Sequence, residues 1–113
     1  MSIPDADELF AHMLEATNQA SVYIDGMTRE DIFADKRTQQ GVTRNLIILG
    51  EAATKLMDRH PDVIENFPEI AWRAMRGMRN RIAHGYYEID LDVVWETVST
   101  ALPALSRQLV GIR

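Results

Sequence analysis

The chain has 113 residues, long enough for one domain that buries its own core without disulfide or metal staples. Seventeen Asp and Glu against 12 Lys and Arg give a formal charge of −5, which excludes a general cationic coat for nucleic acid or anionic membrane. Cysteine is absent, excluding thiolate chemistry and Cys-based zinc sites, and no apolar run approaches the ~18 residues of a membrane span.

Taken in chain order, the pattern is helical throughout. The N-terminal MSIPDADELF is acidic and lacks the apolar core of a signal peptide, so a cytoplasmic protein with no membrane partner is expected. Ser2, Pro4 and Asp5 predict a helix start, with the serine as cap and the proline in the first turn. Leu9, Met13, Ala16, Ala20 and Ile24 then recur every three or four residues and mark one buried face, with Gly26 as the stop. A short helical turn is expected over 28–34, with Ile32 and Phe33 inward.

A second long helix is predicted over 36–59, with Val42, Leu46, Leu49, Ala53 and Leu56 as its stripe and Pro61 as its terminator. Pro68 predicts the opening of a third, carrying Trp72, Met75 and Met78 and ending before Gly85. Asp90 is the expected cap of the last, which carries Leu91, Val94, Val98, Leu102, Leu105 and Leu109. Pro103 lies inside it and predicts a kink or a loosened hydrogen-bond ladder. The expectation is an all-α fold, one domain over 1–113, built as a bundle of four main helices plus short helical turns.

Most of the familiar constellations are missing. His12, His60 and His84 lie on separate elements without metal-ligand spacing, which points away from a metal site. His12 and His60 read as surface or dipole-satisfied residues. No Gly-rich phosphate loop occurs, and no cofactor is expected. Glu88, Asp90 and Asp92 could suggest magnesium, but a charged start to the last helix explains them more simply. Gly50 interrupts the apolar stretch NLIILGEAATKL, where glycine costs about 1 kcal/mol against alanine, so it predicts close approach of another helix. Glu51 beside it is expected to form a structural ion pair with an arginine, since a buried carboxylate needs a partner.

The cations are not spread evenly. Arg73, Arg76, Arg79 and Arg81 fall between Ile70 and Tyr87 with no acidic residue among them, leaving 8 basic against 17 acidic residues elsewhere. An anion is therefore repelled almost everywhere and attracted to one segment, where Arg73 and Arg76 are candidate substrate-binding residues. With about 100° of rotation per residue, Arg76, Asn80 and His84 form one line, while Arg79 lies ~140° from His84 unless the helix loosens before Gly85. Arginine binds phosphate in a fixed fork, and histidine exchanges protons near neutrality. Together they suit metal-independent RNA cleavage by the ribose 2′-OH, with Arg79 stabilising the phosphorane-like charge and His84 as general base or acid. That reaction wants an acid and a base, so one histidine per chain points to a homodimer with two copies of the segment face to face.

At these residues the chain resembles a known family. Arg79-x4-His84-x-Tyr86 matches the R-x4-H-x-Y signature of HepT-like toxins in the HEPN superfamily of ribonucleases. VTRNLIILGEAATKL, AWRAMRGMRNRIAHGYYEIDLDVVWETV and LPAL resemble the corresponding family segments in order, over nearly the whole chain. One departure is Gly41, where a small residue such as alanine is more usual. The resemblance implies a HEPN-type helical bundle that dimerises at its motifs. It implies an RNase toxin of a toxin–antitoxin pair, with tRNA a family-level candidate substrate. It also implies an MNT-type nucleotidyltransferase antitoxin, which transfers AMP from ATP to the motif tyrosine. Carried over, Arg79 and His84 are catalytic, Asn80 supports the active site, and Tyr86 is the AMP acceptor.

A competing reading is a non-catalytic, nucleotide-binding helper subunit of a minimal nucleotidyltransferase, with His84 only binding phosphate. A plain helical scaffold explains less, because it leaves the missing acidic residues of the arginine segment without a cause.

Overall fold

The computed structural model describes residues 3–85 and 89–112, and every described regular element is helical. The first helix, α1 (Pro4–Tyr23), has proline at its start and Asp5 and Asp7 in its first turn, where carboxylates oppose the positive helix end. Its N-cap is Ile3, which makes no side-chain cap bond, and the expected cap Ser2 lies outside the described residues. The anticipated stripe is inward, with Met13 and Ala20 fully buried and Leu9 and Ala16 nearly so. Buried Thr17 satisfies its hydroxyl by donating to the Met13 carbonyl at 2.8 Å. Gly26 follows with φ +76°, a left-handed turn that a side chain would strain.

Thr28 and Asp31 close a reciprocal capping box on the short α2 (Arg29–Phe33), which buries Ile32. Asp35 then caps α3 (Lys36–Arg59) by accepting from the Thr38 N–H at 3.1 Å. Those hydrogen bonds hold the Asp35 carboxyl below its ordinary value, the Thr38 backbone bond first. Val42, Leu46, Leu49, Ala53 and Leu56 form the buried side of α3, as their spacing predicts. α1 packs along α3, and their apolar faces make more than half of the core.

Pro61 ends α3 but also begins a single turn, α4 (Pro61–Ile64). Pro68 does not open the third main helix. Ile70 is buried, and the Trp72 indole donates to the Phe67 carbonyl at 3.1 Å, so 67–71 is held as a turn. Phe10 meets Phe67 and Trp72 edge-on at 5.6 and 6.0 Å, and α5 (Trp72–His84) starts only from that anchor.

The last main helix is composite. Asp90 caps α6 (Leu91–Glu96), accepting from the Asp92 and Val93 N–H groups. A π-helical stretch, Thr97–Ala101, follows, and then α7 (Leu102–Val110). Pro103 has no N–H for the Ser99 carbonyl and its ring crowds that group, so the ladder widens and the Leu102 N–H reaches back to Thr97. Loosening, one of the two predicted outcomes, is what occurs. Four main helices, α1, α3, α5 and α6–α7, thus pack as an all-α bundle with α2 and α4 as short turns.

Candidate active site

α5 buries Trp72 and Ile82 and leaves Arg73, Asn80, Arg81 and His84 exposed. Its other face lies hard against α3. A Cβ at Gly50 would stand 2.4 Å from the Arg79 Cβ and 2.8 Å from the Met75 carbonyl oxygen, so only glycine lets the helices meet this closely. Arg79 is consequently laid across α3. Its Nη1 donates to Glu51 Oε1 at 2.5 Å and its Nη2 to Thr54 Oγ1 at 3.2 Å. One turn earlier, Arg76 donates to Asp58 at 2.6 Å. The Nε atoms of both arginines are buried and find no hydrogen-bond partner among the described residues.

His84 belongs to another surface. It lines a cavity of about 510 Å3 where the C-terminal end of α5 meets the start of α6. Met78, Ile82, Ile89, Val93 and Val94 give this cavity an apolar floor, and Arg81 and Asp90 share its polar side with His84. The helix does not loosen before Gly85, whose N–H donates to the Arg81 carbonyl at 2.9 Å in ordinary α-helical register. Arg79 and His84 therefore keep different neighbours, α3 for the arginine and the α6 cavity for the histidine.

The anticipated line of Arg76, Asn80 and His84 is divided in the same way, with Arg76 drawn to Asp58, Asn80 at the surface and His84 in the cavity. Arg73 is exposed and makes no ion pair among the described residues. Tyr86, the anticipated AMP acceptor, lies outside the described residues, as do Tyr87 and Glu88. Arg81 is the one cation of the arginine segment to which the sequence pattern assigns no specific role. Its signal was the three-residue spacing from His84, which puts both on one side of a helix.

The remaining histidines and acids have structural neighbours. His60 is not merely a helix-end residue, because its Nε2 meets Asp5 Oδ2 at 2.6 Å and ties the end of α3 to α1. The Asp5 carboxyl is held below its ordinary value, first by that His60 hydrogen bond and then by the Arg59 charge. Asp92 pairs with Arg29, whose guanidinium also lies 4.3 Å over the Phe33 ring. Among the described residues no three of His, Asp and Glu gather as a metal-binding group. No described helix is long and apolar enough to cross a membrane.

A family model described as "Ribonuclease HepT-like" matches residues 13–112. The chain belongs to that family. It is 36% identical over 104 residues to a Thermococcus cleftensis protein named "Probable ribonuclease HepT", covering 88% of this chain and 92% of that one. Against a Methanocaldococcus jannaschii protein named "Putative RNase MJ0127", identity is 30% over 91 residues, covering 80% and 73% of the two chains. A second protein of that organism, named "Putative RNase MJ1380", is 28% identical over 109 residues, with 96% and 97% covered. No solved structure matches. The HepT-like match spans α3, α5 and α6, the three helices that build the arginine contact and the histidine cavity.

Proposed function

We propose that this HepT-like chain is a metal-independent ribonuclease, folded as one domain over 1–113 and acting in the cytoplasm as the toxin of a toxin–antitoxin pair. The observation that carries the reading is the exposed His84 on the wall of a 510 Å3 cavity at the end of the helix that also presents Arg79. The ribonuclease family supports RNA as the substrate class, and tRNA is the candidate proposed.

In this reading His84 removes the proton from a ribose 2′-OH, and that oxygen attacks the adjacent phosphorus. Negative charge grows on the non-bridging oxygens, where an arginine fork stabilises it. The bond from phosphorus to the 5′ oxygen breaks, and the departing oxygen takes a proton from a second histidine. The products are a 2′,3′-cyclic phosphate and a 5′-hydroxyl. Since one chain brings a single His84 to its cavity, the second comes from the partner of a homodimer. Asn80, exposed on α5, and Arg73 and Arg76 support the RNA around that site.

Neutralisation follows from the same electrostatics. A partner nucleotidyltransferase directs the Tyr86 hydroxyl to the α-phosphate of ATP, forming a tyrosyl-AMP and releasing pyrophosphate. The added phosphodiester carries a negative charge into the ground of the RNA phosphate.

The deciding experiment incubates purified protein with total RNA, with and without EDTA, and maps the new ends. Cleavage unchanged by EDTA, leaving cyclic phosphates and abolished in His84→Ala, supports the proposal. Full activity in His84→Ala overturns it, and strict magnesium dependence redirects it to the carboxylates.

A further inference from the structure

We infer that Arg81 is the phosphate ligand of the His84 cavity, holding the RNA backbone beside the histidine while Arg79 stays oriented by α3. The inference deepens the ribonuclease reading and rests on it. Its starting point is the division of the arginines. Arg76 and Arg79 have their charges met by Asp58 and Glu51, and both side chains are at most about a third exposed. Arg81 is exposed and makes no ion pair among the described residues. It lines the same cavity as His84.

Arg81 also lines a second cavity of about 450 Å3 between α3, α5 and the last helix, walled by Leu46, Met75, Ala101 and Leu105 among others. It thus stands where two mostly apolar hollows adjoin, and Met78 and Val93 are common to both. A single RNA strand has that alternation of apolar and charged parts. Its bases fit apolar hollows of this size, and the phosphate between them needs a cation at the junction. Asp90 on the cavity wall makes no ion pair with Arg81, its Oδ1 being turned to the Asp92 and Val93 N–H groups at the start of α6. The fork of an arginine, rather than a point charge, suits this place, because it can grip two phosphate oxygens at once.

The test measures binding of a 2′-O-methyl single-stranded RNA, which has no 2′-OH to attack, at a series of salt concentrations. Wild type, Arg81→Gln, Arg81→Lys and, as a distant control, Arg107→Gln are compared. Loss of one charged phosphate contact predicts about tenfold weaker binding by Arg81→Gln and a salt slope shallower by roughly 0.7. Arg81→Lys should recover the slope but only part of the affinity, and Arg107→Gln should match wild type. RNA binding by wild type with an unchanged slope and affinity in Arg81→Gln overturns the inference alone. Absence of RNA binding in every form overturns the ribonuclease reading together with it.

Discussion

Arg79 is oriented by the neighbouring helix rather than by its own: Glu51 accepts from its Nη1 at 2.5 Å and Thr54 from its Nη2 at 3.2 Å. A guanidinium has five N–H donors. Two are spent on α3 and the Nε donor is buried, so one N–H on each terminal nitrogen is left unspent, which the proposed reading assigns to the RNA phosphate. An arginine held in this way meets a phosphate with little further ordering, which is the advantage of a preorganised site.

Glu51 should therefore matter more for catalysis than for folding. The Glu51 side chain is 46% exposed, which limits the pair to about 1 kcal/mol of stability or less. Glu51→Gln keeps an oxygen for Arg79, whereas Glu51→Ala leaves the guanidinium held by Thr54 alone. On the proposed reading kcat should fall at least tenfold in Glu51→Ala and much less in Glu51→Gln, with urea midpoints of both near wild type. Equal losses in the two variants would show that the charge, not the orientation, is what Arg79 needs.

Gly50→Ala tests the helix contact beneath that pair. Alanine gains about 1 kcal/mol of helix propensity over glycine. Against this, its Cβ would sit 2.8 Å from the Met75 carbonyl oxygen, a backbone atom that cannot swing aside, and 2.4 Å from the Arg79 Cβ. Overpacking of this kind costs typically 1–3 kcal/mol, so after the propensity gain a net loss of up to about 2 kcal/mol is expected, measured by denaturant unfolding. Nuclease activity should fall with it as Arg79 is pushed from Glu51. A variant more stable than wild type would mean that the helices stand farther apart than this contact implies.

How far the sequence could be read depended on whether a signal was local. The span of α3 follows from an unbroken apolar stripe ended by Pro61, and Pro103 announces a kink or a loosened ladder, of which the π-helical stretch is the second. The start of α5 does not, because proline opens helices and turns alike. What decides is burial of Ile70 and the bond from Trp72 to Phe67, which are consequences of packing on Phe10. Gly50 announces a close helix, yet four arginines at short intervals compete to be the one that meets Glu51. The same crowding hid Arg81, whose place beside His84 depends on which face of α5 meets α6. The contact of His60 with Asp5 joins residues 55 positions apart, and no local pattern encodes it.

That contact gives the chain an acid-sensitive tether. Asp5 is held below its ordinary value of 3.8, first by the His60 hydrogen bond. A depressed carboxyl contributes its stability in full above the ordinary value and loses it as pH falls through the folded one. Wild type should therefore exceed Asp5→Asn in urea midpoint at neutral pH, and the two curves should converge in acid, beginning below about pH 4. A difference that persists undiminished at pH 2 would assign the effect to something other than the charge of Asp5.

For the antitoxin reading, the outcome to measure is mass. Co-expression with a nucleotidyltransferase encoded beside the chain should add one or more AMP units, and Tyr86→Phe should lose them. The same substitution should escape neutralisation while still cleaving RNA, since it removes only a hydroxyl. Modification mapped to a different residue, or silencing of Tyr86→Phe that depends on the partner's transferase activity, would place the switch elsewhere.

The division between Arg79 and His84 leads to the last prediction. The two face different helices, in keeping with the ~140° between them on a regular helix, and the proposed chemistry needs two histidines where one chain supplies one. A symmetric dimer with its α5 helices near the shared face resolves both difficulties, because it can bring the arginine of one protomer to the histidine of the other. Arg79→Ala and His84→Ala proteins should each be inactive alone, with far-UV helicity unchanged. When the two are mixed and allowed to exchange subunits, a heterodimer retains one intact Arg79 and one intact His84. Part of the wild-type activity should return, and only part, because one histidine of the pair is still missing. Heterodimers that form by native mass spectrometry yet stay inert would mean either that each arginine acts with the histidine of its own chain or that cleavage requires both histidines at once. A protein that is monomeric by light scattering at micromolar concentration and still cleaves RNA would remove the need for a second histidine altogether.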